Sequence, residues 1–278
     1  MLSPFFLIFA VFVISPLFAS LGLSFTDFSG LGPMEFVGFD NFVALMSDTR
    51  FQRALLNTLT YVVFTVVITT VLSYLFALAF SGVRKRDKVV RTILFLPSVT
   101  SGIALILVWR WIFSAQQFGV ANTVSRFFGQ GAREWLADPA LALPIMVGVA
   151  VFGGLGYNTI ILAAGISSVP AELEEAAEMD GAGYWTRVRH VVIPHTMPVV
   201  AFVVVTMSIA SFQVFELAYL LFGYGVQDSA LTVVSYLYER GFNRFQLGYA
   251  SAIAWILFII IFVVGLVQLR LTRAGKER

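Results

Sequence analysis

Six long apolar stretches, each close to the roughly 20 residues that a helix needs to cross a bilayer, constrain this fold most strongly. Backbone polar groups inside lipid must be satisfied within the protein, so apolar stretches of this length predict membrane helices. The sequence therefore predicts an all-α integral membrane protein with about six transmembrane helices. The predicted spans are 2–25, 58–80, 92–113, 141–166, 197–222 and 247–269.

Composition excludes several other classes of protein. The chain is 59% hydrophobic and only 12% charged, which is about half the charged fraction of an ordinary soluble domain. Cysteine is absent, which excludes disulfides, thiolate metal sites and a thiol nucleophile. The net charge of +2 is too small for a nucleic-acid-binding surface. The first stretch lacks the basic leading region and cleavage site of a secretory signal, so we interpret it as a membrane helix.

The distribution of Lys and Arg predicts the orientation. With six crossings, three basic segments fall on one side of the membrane, and basic loops usually face the cytoplasm. Both termini are therefore predicted to be cytoplasmic in a multi-pass protein of the cytoplasmic membrane. Arg50 and Arg53 are exceptions on the opposite side. The basic segments are 84–91, 187–189 and 270–278.

The connection between the fourth and fifth stretches, residues 167–198, predicts a short helix, a turn and a second helix. Ser168 can cap the first helix, and Gly181 is expected to end it. A second amphipathic helix is expected from about Tyr184. Pro194 and Pro198 are expected to break it before the fifth span.

Two interpretations of this loop compete. It could lie on lipid headgroups as an interfacial hairpin. Its first helix is acidic, however, and anionic lipid would repel it. Small residues at Ala176 and Ala177 would let the backbone of a partner approach closely. Docking of a cytoplasmic protein is therefore the favoured interpretation. The acidic residues are Glu172, Glu174, Glu175, Glu178 and Asp180.

The same loop resembles the signature of binding-protein-dependent ABC import permeases. That signature is Glu-Ala-Ala, three residues, Gly, nine residues and Ile-x-Leu-Pro. Here it reads Glu175-Ala176-Ala177, then Gly181, then 191–194 as Val-Val-Ile-Pro. The local sequence EAAEMDGAGYW looks like the carbohydrate-uptake branch, whose members handle maltose, trehalose or glycerol-3-phosphate. Further similarity covers nearly the whole chain, although a Gly-Gly-Gly-Pro turn common in that branch is replaced at 222–228.

The resemblance implies a type I ABC importer permease fold, with residues 1–278 as one transmembrane permease domain. It implies a second, non-identical permease chain, two cytoplasmic ATPase subunits and an extracytoplasmic solute-binding protein. ATP and Mg would bind to the ATPase subunits, since this chain has no Gly-rich phosphate loop and would be non-catalytic. The loop 167–198 would carry a coupling helix for alternating access. The residues implied for ATPase coupling are Glu175, Ala176, Ala177, Asp180, Gly181 and Pro194.

Polar and aromatic residues in the membrane helices are candidates for a solute pathway, because hydroxyl and amide groups beside aromatic rings suit a sugar. In the fifth span, five of them follow helical spacing and are expected to share one face. These five are Ser208, Ser211, Phe212, Phe215 and Tyr219. The alternative is that these groups hydrogen-bond between helices. Glu216 is a further embedded polar residue. The pathway candidates are Asn158, Ser208, Ser211, Phe212, Gln213, Phe215, Tyr219 and Ser251.

Other functions have less support in the sequence. A secondary transporter or channel would usually show internal repeats or several embedded charges. An intramembrane enzyme would need a convergent set of catalytic groups, and a scaffold would bind partners without moving solute. His190 and His195 lack the neighbouring carboxylates or thiols of a metal site, so no metal site is predicted.

Overall fold

The computed structural model describes residues 3–30, 32–80, 85–116 and 119–274. Regular structure in these ranges is helical, apart from one antiparallel bridge between Thr26 and Phe36. Arg84, Lys276 and Arg278, which contributed to the predicted orientation, lie outside the described residues.

Twelve helices in the described ranges carry the labels used below. Some contain a π-helical turn, as α1 does at Ala10–Ile14. The helices are α1 (Pro4–Leu23), α2 (Asp40–Ser47), α3 (Thr49–Ala79), α4 (Lys85–Val99), α5 (Gly102–Ile112), α6 (Val120–Phe127), α7 (Pro139–Ser167), α8 (Ala171–Met179), α9 (Tyr184–Phe212), α10 (Glu216–Phe222), α11 (Val233–Tyr238) and α12 (Leu247–Ala274).

Five of these helices, α1, α3, α7, α9 and α12, are long and apolar enough to cross a membrane. The pair α4 and α5 provides a sixth span if the two count as one broken helix. This architecture confirms the predicted all-α membrane fold with about six spans. Helix α3 begins at Thr49 rather than near Thr58, because the Asp48 carboxylate accepts hydrogen bonds from the amides of Arg50 and Phe51 at 3.0 and 3.2 Å.

The third predicted span is not one kinked helix. Helices α4 and α5 meet at an angle of 103°. Pro97, expected at the kink, lies within α4, and because it has no amide hydrogen it cannot bond the carbonyl of Ile93 one turn earlier. Ser101 then has extended backbone angles, φ −53° and ψ 129°. The chain therefore leaves the helical conformation after Pro97 and resumes it at Gly102.

The predicted boundaries of the fifth span, 197–222, are also wrong. Helix α9 runs without a gap from Tyr184 through Pro194 and Pro198 to Phe212. A π-helical turn at Val188–Val192 precedes Pro194, and such a turn opens the hydrogen-bond ladder where a proline cannot donate. The chain then breaks before the short helix α10.

Helices α3, α7, α9 and α12 pack closely in the core, and α4 crosses α7. A Cβ atom placed on Gly156 in α7 would lie 1.9 Å from the carbonyl oxygen of Leu94 in α4, so only glycine permits this crossing. Helix α1 lies at the periphery of the core, since none of its residues is buried. It contacts α12, where the Trp255 indole donates to Ser20 Oγ at 3.3 Å.

Candidate functional site

The hairpin of α8 and the start of α9 occupies the loop where the sequence predicts docking. The expected cap at Ser168 is wrong, because its hydroxyl donates to the Gly165 carbonyl at 2.7 Å and thus closes the end of α7. Pro170 instead precedes the first residue of α8. Proline suits this place, since its fixed φ is compatible with a helix start.

Gly181 ends α8, as the sequence predicts. Its φ is +79°, a left-handed conformation that side chains with a Cβ disfavour. The amide of Ala182 donates to the Ala177 carbonyl at 2.9 Å, and the amide of Gly181 donates to the Glu178 carbonyl at 3.0 Å. This pair of bonds is a Schellman-type helix end, and it turns the chain towards α9.

Helix α8 buries none of its residues. Glu175, Ala176, Asp180 and Gly181 are exposed, Ala177 is partly buried, and Pro194 is exposed on α9. Large apolar side chains are exposed beside the acidic residues, and Met179 is the most exposed of them at 88%. The ion pair between Arg187 and Glu178 joins α8 to α9. The hairpin therefore presents a surface that is both acidic and apolar. The most exposed apolar side chains here are Leu173, Met179, Tyr184 and Trp185.

A cleft of about 340 Å³ lies between α3, α7 and α9. Two predicted pathway residues, Asn158 and Ser211, line it. Asn158 donates to the Gly154 carbonyl at 2.8 Å through Nδ2. The cleft is also lined by Tyr61 and Thr65 of α3, which sequence patterns did not indicate. The sequence feature that could have indicated these two residues is the presence of hydroxyl side chains within an otherwise apolar span. The full lining is Tyr61, Thr65, Ala150, Gly154, Tyr157, Asn158, Thr206, Met207, Ala210, Ser211 and Val214.

The expectation that five residues of the fifth span share one face is wrong, because α9 ends at Phe212. Ser208 is turned towards α12, where it accepts a hydrogen bond from Gln268 Nε2 at 2.9 Å. Phe212 is 2% exposed and packs in the hydrophobic core. Gln213 is exposed where α9 ends, and Ser251 lies on α12 away from the cleft.

Phe215 and Tyr219 belong to a separate aromatic cluster. Their rings stack with centroids 5.2 Å apart, and Tyr238 of α11 lies 5.0 Å from Phe215. Glu216 opens α10 between them and is exposed. A Cβ atom on Gly102 would lie 3.8 Å from Glu216 Oε2. The carboxylate thus lies where the two interrupted spans meet.

Within the described ranges, no three His, Asp or Glu side chains are grouped as metal ligands. The prediction that the chain holds no metal remains a prediction.

Comparison with known proteins identifies the family. The model of the family described as "binding-protein-dependent transport system inner membrane component" matches residues 74–274. The chain belongs to this family. Binding-protein-dependent inner membrane components are transport subunits, in agreement with the resemblance found in the signature of the 167–198 loop.

Relatives in this family include sugar ABC transporter permeases. The chain is 36% identical over 281 residues to the arabinooligosaccharides transport system permease protein AraP of Halalkalibacterium halodurans, covering 100% of this chain and 88% of AraP. It is 30% identical to the multiple sugar-binding transport system permease protein MsmF of Streptococcus mutans, covering 95% of this chain and 90% of MsmF.

A solved structure supports the fold. One chain of a bacterial ABC transporter involved in the import of the acidic polysaccharide alginate superposes with a TM-score of 0.88 at 26% identity. The match covers 99% of this chain and 94% of that chain. The predicted type I ABC importer permease fold is thereby confirmed.

Proposed function

We propose that this chain is the permease subunit of an ATP-driven importer for a sugar or sugar-like solute. The observation that carries the proposal is the α8–α9 hairpin, in which no residue of α8 is buried within this chain. Helix α8 contributes nothing to the apolar core of its own subunit, and an exposed surface that mixes apolar and polar residues is typical of an interaction site. Membership of a transport family and relatives named for sugar transport support the same function.

The hairpin would dock a cytoplasmic ATPase. The residues proposed for coupling are Glu175, Ala176, Ala177, Asp180, Gly181 and Pro194. A rigid Gly181 turn and the Arg187–Glu178 ion pair favour movement of α8 and the start of α9 as one body. ATP binding would then favour one of two packings of the membrane helices, because docking contacts differ between them. Solute would be exposed to one side of the membrane at a time.

The cleft between α3, α7 and α9 is the proposed solute pathway. Its mixture of apolar walls, one amide and several hydroxyls suits a ring with polar edges and apolar faces. Asn158 and Ser211 are the predicted residues that best fit this role. The aromatic cluster of Phe215 and Tyr219 would lie nearer one end of the pathway.

The proposed complex contains a second, non-identical permease, two ATPase subunits and an extracytoplasmic solute-binding protein. ATP and Mg would bind to the ATPase subunits, and this chain would be a non-catalytic single permease domain over 1–278. Both termini are proposed to lie in the cytoplasm of a bacterial cell.

The test is ATPase activity and solute uptake of the complete complex in lipid vesicles, with its binding protein and a panel of neutral and acidic oligosaccharides and glycerol phosphates. We expect one solute class to stimulate ATP hydrolysis and to accumulate only when ATP is present. Uptake by this chain alone, driven by an ion gradient, would instead identify a secondary transporter.

A further inference from the structure

Helix α6 has the reverse of the polarity expected for a helix on a water-facing surface. Its buried residues are both polar, namely Asn122 and Ser125. Its apolar side chains point outward, and Phe127 and the following Phe128 are 86% and 73% exposed. A helix that folds in contact with water alone would bury these rings and expose the amide.

Asn122 fixes this reversed orientation. Its Oδ1 accepts hydrogen bonds from the Arg133 amide at 2.9 Å and from the Trp135 indole at 2.8 Å. Its Nδ2 donates to the Arg133 carbonyl at 3.1 Å and to the Ser114 carbonyl at 3.3 Å. One fully buried side chain thus joins α6 to the segments before and after it. The outward rings follow from this arrangement rather than from a mobile loop.

Part of the outward face lies beside the end of α5, which belongs to the interrupted span. An apolar cleft of about 460 Å³ separates α6 from the end of α5, with Val124 and Phe128 on one side and Trp109 and Phe113 on the other. Trp135 also lines this cleft, and Trp111 at the end of α5 is 58% exposed. Tryptophan beside apolar side chains is typical of the level where hydrocarbon meets headgroups.

Two arginines complete the pattern. Arg126 lies on α6 next to Phe127, and Arg133 follows the helix with its side chain 53% exposed and its guanidinium paired with Asp138. Arginines beside an apolar face that carries Phe are typical of helices lying in the membrane interface. The Arg133 guanidinium lies 5.6 Å from the centroid of the Trp135 ring, so an arginine and a tryptophan lie side by side next to this apolar face.

We propose that α6 is an interfacial helix that inserts Val124, Phe127 and Phe128 into the lipid at the boundary of hydrocarbon and headgroups. The cleft behind it would accept acyl chains of the same lipid. This inference concerns the lipid surface and does not depend on which solute the protein carries.

The absence of native cysteine permits a direct test. Single-cysteine variants Phe127→Cys and Phe128→Cys carry a spin label in the assembled complex in phosphatidylcholine and phosphatidylglycerol vesicles. Glu134→Cys, an exposed polar position in the same connection, is the matched control. Collision with oxygen, which concentrates in hydrocarbon, is compared with collision with a water-soluble nickel chelate.

We expect oxygen collisions to exceed nickel collisions several-fold at Phe127 and Phe128, and the reverse at Glu134. High nickel accessibility at all three positions would overturn the proposal in favour of a water-exposed helix. Protection from both reagents at Phe127 and Phe128 would overturn it in favour of a protein contact. If replacement of either ring prevents assembly, Val124→Cys on the same face gives the same readout.

Discussion

Arg50 donates two parallel hydrogen bonds to Asp228, each 2.8 Å long, across 178 residues of sequence. The same guanidinium donates to Glu239 at 2.9 Å. Asp228 has a φ of +57°, and the preceding Gln227 has a φ of +55°. Arg50 therefore holds a strained turn against the start of α3. Non-glycine residues with a positive φ need such support from their surroundings.

Replacement of Arg50 by lysine should destabilise this end of the protein. Lysine keeps the charge but cannot form the bidentate pair, so we expect a loss of about 1–2 kcal/mol in the free energy of unfolding. The thermal midpoint of the purified protein in detergent measures the change. Arg53→Lys is the control, because Arg53 makes a single hydrogen bond to the Gln227 carbonyl in the same region. Equal effects of both substitutions would contradict a special role for the bidentate pair.

The same carboxylates predict a dependence of stability on pH. Hydrogen bonds from Arg50 hold the pKa of Asp228 below its ordinary value. Burial acts to raise the pKa of Glu239, but hydrogen bonds and charge interactions with Arg50 and Arg244 outweigh it and lower the pKa. Burial likewise opposes the hydrogen bonds from Tyr236 and Tyr249 that leave the pKa of Asp48 lowered.

A carboxyl group whose pKa is lowered by folding stabilises the protein above its unfolded pKa, about 4. That stabilisation is lost as the pH falls through the folded pKa. We therefore expect the thermal midpoint to be steady near neutral pH and to fall below about pH 4. Asp228→Asn should lower the midpoint at pH 7 and reduce the acid-dependent fall, whereas Asp40→Asn, at an exposed position at the start of α2, should not. A fall of unchanged size in Asp228→Asn would contradict this assignment.

The sequence could predict the number and approximate position of the spans, because hydropathy over about 20 residues reports burial in lipid. It could not predict where α9 ends, since the stretch after Phe212 is still mostly apolar apart from Gln213 and Glu216, while the backbone leaves the helix at Gln213. Arg50 looked like an exception to the orientation rule, yet its partners Asp228 and Glu239 explain its position. Such pairs join distant segments and leave no local pattern.

The candidate site was predictable to a similar degree. The end of α8 at Gly181 followed from a glycine at a fixed position in the motif. The wall of the cleft on α3 did not, because Tyr61 and Thr65 carry no motif and lie in a strongly apolar span. Ser208 was selected by its chemistry, but only three-dimensional structure reveals that it faces Gln268.

Helix α7 offers a test of the close crossing at Gly156. Gly156→Ala should displace α4 and cost about 1–3 kcal/mol, because its Cβ would overlap the Leu94 carbonyl oxygen. Gly148→Ala on the same helix has nothing within 4 Å of its Cβ and should be neutral or slightly stabilising. Thermal midpoints of the two variants in detergent give the comparison. A neutral Gly156→Ala would contradict the close contact between α4 and α7.

Thr65 tests whether α3 contributes to the solute pathway. The hydroxyls of Thr65 and Thr70 are both buried without a hydrogen bond of normal geometry among the described residues, although the Tyr61 hydroxyl faces Thr65. Thr70→Val removes a buried hydroxyl that costs about 1–3 kcal/mol when unsatisfied, so this variant should not be less stable, and Thr65→Val should lose at most the contact with Tyr61.

Of these two threonines, only Thr65 borders the cleft between α3, α7 and α9. Thr65→Val should therefore raise the solute concentration for half-maximal uptake in vesicles, while Thr70→Val should leave it unchanged. Identical transport by the two variants would remove α3 from the proposed pathway without affecting the assignment of the protein as a permease.

Two neighbouring glycines allow a direct test of whether the α8–α9 hairpin couples this chain to an ATPase. Gly181 has a φ of +79°, whereas Gly183 has a φ of −67°, and a Cβ at either position meets open space. Valine at Gly181 should distort the turn at a local cost of about 1–2 kcal/mol or more, while valine at Gly183 should be tolerated.

The measurement is solute-stimulated ATP hydrolysis by the complete complex in vesicles, compared between Gly181→Val, Gly183→Val and the unmodified protein. We predict that Gly181→Val loses stimulation and uptake, or fails to retain the ATPase subunits, while Gly183→Val behaves like the unmodified complex. Full stimulation and uptake in Gly181→Val would contradict the claim that this hairpin couples ATP hydrolysis to transport.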